Sequence, residues 1–147
     1  MFFGLTLNTG KTEMIRAVAE GICYHLRWML ECQDRKTRTS DTLRFSGGSA
    51  LSDVTSQILA DITGRRVEVP GSPQYVGSVG AALTAAVGLG LLPDLEQVAD
   101  MIPAEKTFDP QEEFAPVYNR NYEVFKKLYQ TNKKNYEAMS MKTSGKD

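Results

Sequence analysis

The sequence has little with which to hold a metal or run histidine chemistry, with one histidine and two cysteines among 147 residues. A Ser-His-Asp triad built within the chain would depend on His25, which falls inside a predicted helix and reads as a surface or partly buried side chain. Cys23 and Cys32 make no Cys-x-x-Cys pair, and on one helix their Cα atoms stand too far apart for a disulfide. Two reduced thiols follow. The chain also lacks a basic excess: 17 Lys and Arg against 18 Asp and Glu leave a net charge of −1. A nucleic-acid binder needs that excess to displace counterions from phosphates, so the balance argues against nucleic acid as a partner. No run of about 18 apolar residues occurs, which excludes a membrane-spanning helix. The start, Met1 to Leu5, has neither the basic flank nor the length of a secretory signal, so the expected location is cytoplasmic. What is present, 41% hydrophobic and 24% charged residues, is the composition of a folded globular chain, long enough for one domain or one piece of a larger one.

Apolar residues recur at spacings of three and four at Ile15, Val18, Ala19, Ile22, Leu26, Met29 and Leu30. This predicts a helix from Lys11 to Cys32 with that face buried and with Thr9 or Thr12 as its cap. Arg16 and Glu20 stand at i and i+4, close enough to pair, and Gly21 beside them predicts close packing. After a polar connection from Gln33 to Asp41, Thr42-Leu43-Arg44-Phe45-Ser46 alternates as a strand and stops at Gly47-Gly48. Val54, Ile58 and Ile62 mark a second helix that Ser52 or Asp53 can cap and Gly64 can end. Arg66 to Val69 is a second strand, broken by Pro70-Gly71-Ser72-Pro73. Strand, helix and strand in so short a stretch is a βαβ unit, which should be parallel.

Gly77 to Gly88 is dense in glycine and alanine. A helical glycine costs about 1 kcal/mol relative to alanine, so the run predicts close approach to a sheet or to a ligand. Leu89 to Pro110 reads as irregular, with one helical turn around Leu95 to Val98. Glu112 to Ala138 reads as a long helix with Phe114, Val117, Tyr118, Tyr122, Phe125, Leu128, Tyr129 and Tyr136 mostly on one face, followed by a frayed tail from Met141 to Asp147.

The candidate site is the junction from Phe45 to Asp53, where a strand end passes through two glycines into a helix start. Glycine lets the backbone take positive φ and lets a ligand come within contact distance, and the helix that follows presents free N–H groups to an anion. Ser52 is placed to offer a hydroxyl to a ligand lying on the glycines. A Gly-Gly step is by itself only a tight turn, and this one is neither a Walker A loop nor a Gly-x-Gly-x-x-Gly loop.

The neighbourhood of that turn carries more. Phe3-Gly4-Leu5, Arg16 to Ile22, Ser46-Gly47-Gly48-Ser49, Gln57 to Gly64, Val67 to Pro70, Gly80-Ala81-Ala82 and Ala85 to Gly90 follow one another in an order that resembles the C-terminal half of the FGGY family of carbohydrate kinases. Within that family the chain most resembles the xylulose kinases. The resemblance implies an α/β fold of the ribonuclease H-like, actin-like ATPase class, and transfer of the ATP γ-phosphate to a sugar hydroxyl, D-xylulose in the first instance, with Mg²⁺ as the accompanying ion. It implies a nucleotide site in which Gly47 and Gly48 pass under the nucleotide, Ser52 contacts it, and Gly80 and Ala81 line or support the pocket. Related kinases often carry asparagine at the position of Ser52.

The same resemblance implies an incomplete fold, with the opening strands and phosphate loop absent. Residues 1–110 would be the nucleotide-binding domain, truncated at its N-terminal side, and residues 111–147 a helix and tail. The general base, the sugar-binding residues and the carboxylates around Mg²⁺ would lie on another domain, so the piece alone should be inactive, with no catalytic or metal-binding residue of its own. Asp61 reads as a local hydrogen-bonding residue and Asp53 as a helix cap. An unpaired edge at Thr42 to Ser46 and an uncovered apolar surface predict self-association or docking to the missing half. A rival reading is an interaction module that keeps the fold without binding nucleotide.

Overall fold

Helix α1 (Lys11–Asp34) begins at Gly10 and uses neither threonine as a cap. The Gly10 N–H donates to Glu13 Oε2 at 3.1 Å, so an acidic side chain in the first turn satisfies a helix-end donor and complements the helix dipole. The computed structural model describes residues 2–94, 96 and 101–140. The turn expected around Leu95 to Val98, Glu96 apart, and the tail from Met141 to Asp147 lie outside these residues.

Strand β1 (Thr42–Arg44), helix α2 (Asp53–Thr63) and strand β2 (Arg66–Pro70) form the expected βαβ unit, with Leu43 opposite Val67 in a parallel pair. Helix α2 is set by its two ends. Ser52 Oγ accepts from the Thr55 N–H at 3.2 Å, and Gly64 closes the helix in the left-handed conformation at φ +66°. A tight turn at Pro73–Tyr75 leads into α3 (Val76–Gly88). The segment read as irregular contains a third strand, β3 (Ala104–Phe108), antiparallel to β2, so the sheet is mixed and ordered β1-β2-β3. A further turn, Glu112–Phe114, opens α4 (Ala115–Ser140).

The core gathers around α2. Ile58, Leu59, Ala60 and Ile62 are buried against Val67 and Val69 of β2, against Cys23 and Tyr24 of α1, and against Tyr118 and Tyr122 of α4. Each buried isoleucine, leucine or valine among them contributes about 1.5–3 kcal/mol by leaving water. The Tyr24 ring stacks on Tyr122 with centroids 6.1 Å apart and meets Phe125 at 5.7 Å. Arg27 ties the three helices together, donating to the Ile62 carbonyl at 2.9 Å and to Asn119 Oδ1 at 2.8 Å while lying over the Tyr122 ring at 4.2 Å. Burial pushes the Cys23 thiol up to about 11, which leaves it a neutral core group, and both cysteines are free.

Two expectations of packing fail in the same way. On α1 the buried residues are Cys23 and Tyr24, while Ile15, Val18, Ile22 and Met29 are 60%, 51%, 53% and 50% exposed. The apolar stripe of this helix is wider than the surface that covers it. Helix α3 buries no residue, and at Gly21, Gly77, Gly80 and Gly88 no atom outside the neighbouring backbone lies within 4 Å of where a Cβ would stand, so among the described residues these glycines make no close approach to the sheet. Among those residues no helix is long and apolar enough to cross a membrane.

Candidate functional site

The two parallel strands end side by side, and the turns that leave them are joined. Phe45 N–H still donates to the Glu68 carbonyl at 2.9 Å, after which the chain turns at Gly47. Gly47 has φ +94° and ψ −177°, a region that only glycine occupies without strain. Its N–H donates to the Pro73 carbonyl at 2.8 Å, which fixes the turn after β1 to the turn after β2. The chain then makes a single tight turn, Gly48–Leu51, pinned by the buried Ala50, and reaches Ser52 at the head of α2. The carboxyl ends of adjacent parallel strands are where open α/β sheets receive ligands. A crevice of about 270 Å³ opens there, lined by Leu51, Pro70, Ser72, Gln74 and Lys106 among others, and Ser72 is held in the left-handed region at φ +51°.

At both Gly47 and Gly48 no atom lies within 4 Å of a would-be Cβ, so the backbone faces open space and a ligand can lie directly on it. Ser52 is exposed, and because its oxygen already accepts from Thr55 its hydroxyl proton is left to donate outward. Gly80 is half-buried and its carbonyl accepts from Thr84 Oγ1 at 2.8 Å, while Ala81 is exposed. Neither of these two lines the crevice, and Gly47, Gly48 and Ser52 flank it without lining it, on the chain stretch that leads to and from Ala50 and Leu51.

The acidic residues sort by their partners. Asp53 does not cap α2; its Oδ1 is 2.7 Å from Lys106 Nζ on β3, a pairing the sequence did not signal. Asp61 is buried, accepting from Gln57 Nε2 at 2.9 Å and from the Gln111 N–H at 2.8 Å, and so joins α2 to the turn before α4. Glu20 pairs with Arg16 at 2.9 Å, and Arg16 also donates to the Tyr118 hydroxyl at 2.8 Å. Among the described residues no group of three His, Cys, Asp or Glu side chains converges to hold a metal.

Residues 1–89 match the model of the C-terminal domain of the FGGY family of carbohydrate kinases. The chain is 37% identical over 111 residues to a glycerol kinase of Allorhizobium ampelinum, covering 74% of this chain and 22% of that protein. It is 36% identical over 129 residues to a gluconokinase of Bacillus licheniformis, covering 84% and 24%. Its structure superposes on that of a ligand-bound xylulose kinase of Lactobacillus acidophilus with a TM-score of 0.78, at 26% identity, over 95% of this chain and 28% of the other. The fold is thus the actin-like ATPase fold of sugar kinases. More particularly, the chain belongs to the FGGY family of carbohydrate kinases, matching its C-terminal domain. It spans about a quarter of the length of these relatives.

Proposed function

We propose that this chain holds the nucleotide in an ATP-dependent sugar kinase that transfers the γ-phosphate to a sugar hydroxyl, with D-xylulose as the acceptor. The observation that carries the reading is the bare backbone at Gly47 and Gly48, open at the carboxyl ends of two parallel strands. In this reading the two glycines lie under the nucleotide, Ser52 donates its hydroxyl proton to it, and Gly80 and Ala81 support the pocket from α3. Residues 1–110 form the nucleotide-binding unit and residues 111–147 the C-terminal helix and tail. Phosphoryl transfer rests on positioning and charge neutralisation. Mg²⁺ would arrive with ATP, and its protein ligands, the general base and the sugar-binding residues are assigned to the remainder of a kinase polypeptide that docks on this chain. That placement leaves the chain inactive on its own. ATP supply and two free thiols favour a cytoplasmic setting.

The acceptor is read by comparing phosphorylation of D-xylulose, glycerol and gluconate by the kinase that contains this chain. The nucleotide site is tested by calorimetric titration of the chain and of Gly48→Val with Mg-ATP. The parent should bind, and the variant should melt at the same temperature yet bind at least about tenfold more weakly, because the valine side chain occupies the nucleotide's place. Equal binding by the two would remove the glycine cradle from the reading. Absence of binding by either would favour the rival, an interaction module that keeps the fold alone.

A further inference from the structure

Lys106 stands outside the 89 residues that match the family model, yet it reaches the candidate site. Strand β3 places it opposite Val69, just before the register shift at Pro70, and from there its side chain borders the crevice beside Ala50 and Leu51. Its ammonium ends 2.7 Å from Asp53 Oδ1. Asp53 is the first residue of α2 and follows Ser52 directly. The helix N-terminus there carries a partial positive charge that favours an anion, and an unpaired carboxylate in the same turn would cancel it. The other acidic group of this edge, Glu105, borders the same crevice with a carboxylate oxygen beside Gly71, away from the head of α2 that Asp53 opens. Both partners of the Lys106–Asp53 pair are about half exposed, so the pair does little for folding.

Resting on the nucleotide reading above, we propose that Lys106 is a positioning residue for the anionic nucleotide: it holds and neutralises Asp53, so that the head of α2 presents no net negative charge to ATP. A charge within about 8 Å of a bound polyphosphate is felt at physiological ionic strength and is screened at high salt.

The test measures the affinities of the 147-residue chain for Mg-ATP and for adenosine, which shares the base and sugar but has no charge. At about 20 mM salt, Lys106→Met should weaken Mg-ATP about three- to tenfold and leave adenosine unchanged, and the loss should shrink below about twofold at 0.5 M salt. Lys106→Arg should keep the parent affinity, and Asp53→Asn combined with Lys106→Met should restore it. Asp53→Asn alone should bind Mg-ATP as tightly as the parent or more so, which keeps the idea testable even if Lys106→Met folds poorly. Equal loss for both ligands would assign Lys106 a purely structural role and overturn the inference, as would no loss for either, or a weakening by Asp53→Asn alone. If Gly48→Val abolishes binding while Lys106→Met changes nothing, this inference falls and the nucleotide reading stands; if the parent binds neither ligand, both fall.

Discussion

Gly47 and Gly48 are adjacent and chemically identical, and the structure asks different things of them. Gly47 needs its conformation, φ +94° with ψ −177°, whereas Gly48 needs only the open space in front of it. Gly47→Ala should therefore cost about 1–3 kcal/mol of stability, and Gly48→Ala less than about 0.5 kcal/mol, both read by urea denaturation. If Gly48→Ala were the costlier change, the assignment of strain to the first glycine would be wrong. At this scale the sequence was informative where a residue acts on its near neighbours. Ser52, Gly64 and the Arg16–Glu20 pair all stand where local spacing predicts. Lys106 was hidden because its partner, Asp53, is brought to it only by the pairing of β2 with β3.

The link between the end of α1 and the start of β2 is electrostatic. Asp34 accepts from the Thr39 hydroxyl at 2.5 Å and the Thr39 N–H at 2.9 Å, and Arg65 closes on its other oxygen. The Thr39 hydrogen bonds, and after them Arg65, hold the Asp34 carboxyl below the ordinary aspartate range. A carboxyl lowered in the folded state adds stability above its unfolded value, and that stability is lost as pH falls through the folded one. Asp34→Asn should thus be less stable than the parent at pH 7, with the gap closing once pH drops below about 4. A gap that stayed constant from pH 7 to pH 3 would mean that the carboxylate charge is irrelevant there. Elements themselves were legible in proportion to their burial. The βαβ unit was clear because α2 turns an apolar stripe inward and β2 alternates, whereas β3 was missed because Glu105, Lys106 and Thr107 are all exposed and leave no apolar period to read. The periodicity of α1 marks the helix but not its buried face, since an apolar stripe does not say which part of it this chain can cover.

Apolar side chains stand exposed on several elements of the chain. On α1 and the segment before it, Phe2, Phe3, Val18 and Ile22 line a groove of about 610 Å³ that runs to Leu128 of α4. Along α3 and its flanks Tyr75, Val79, Leu89 and Leu91 are 60%, 43%, 76% and 74% exposed, and among the described residues β1 is paired on one side only. Monomers rarely leave large apolar patches in water. The isolated chain should therefore sediment at micromolar concentration as species heavier than 16.3 kDa. Ile22→Lys places a charge in the middle of the α1 groove without touching the α2 core, and should shift the distribution toward the monomer while leaving the melting temperature of the core nearly unchanged. A parent chain that sediments as a compact monomer and melts cooperatively would show that these faces need no cover. If the parent associates and Ile22→Lys changes nothing, association runs through α3 or the β1 edge, and the α1 groove plays no part in it.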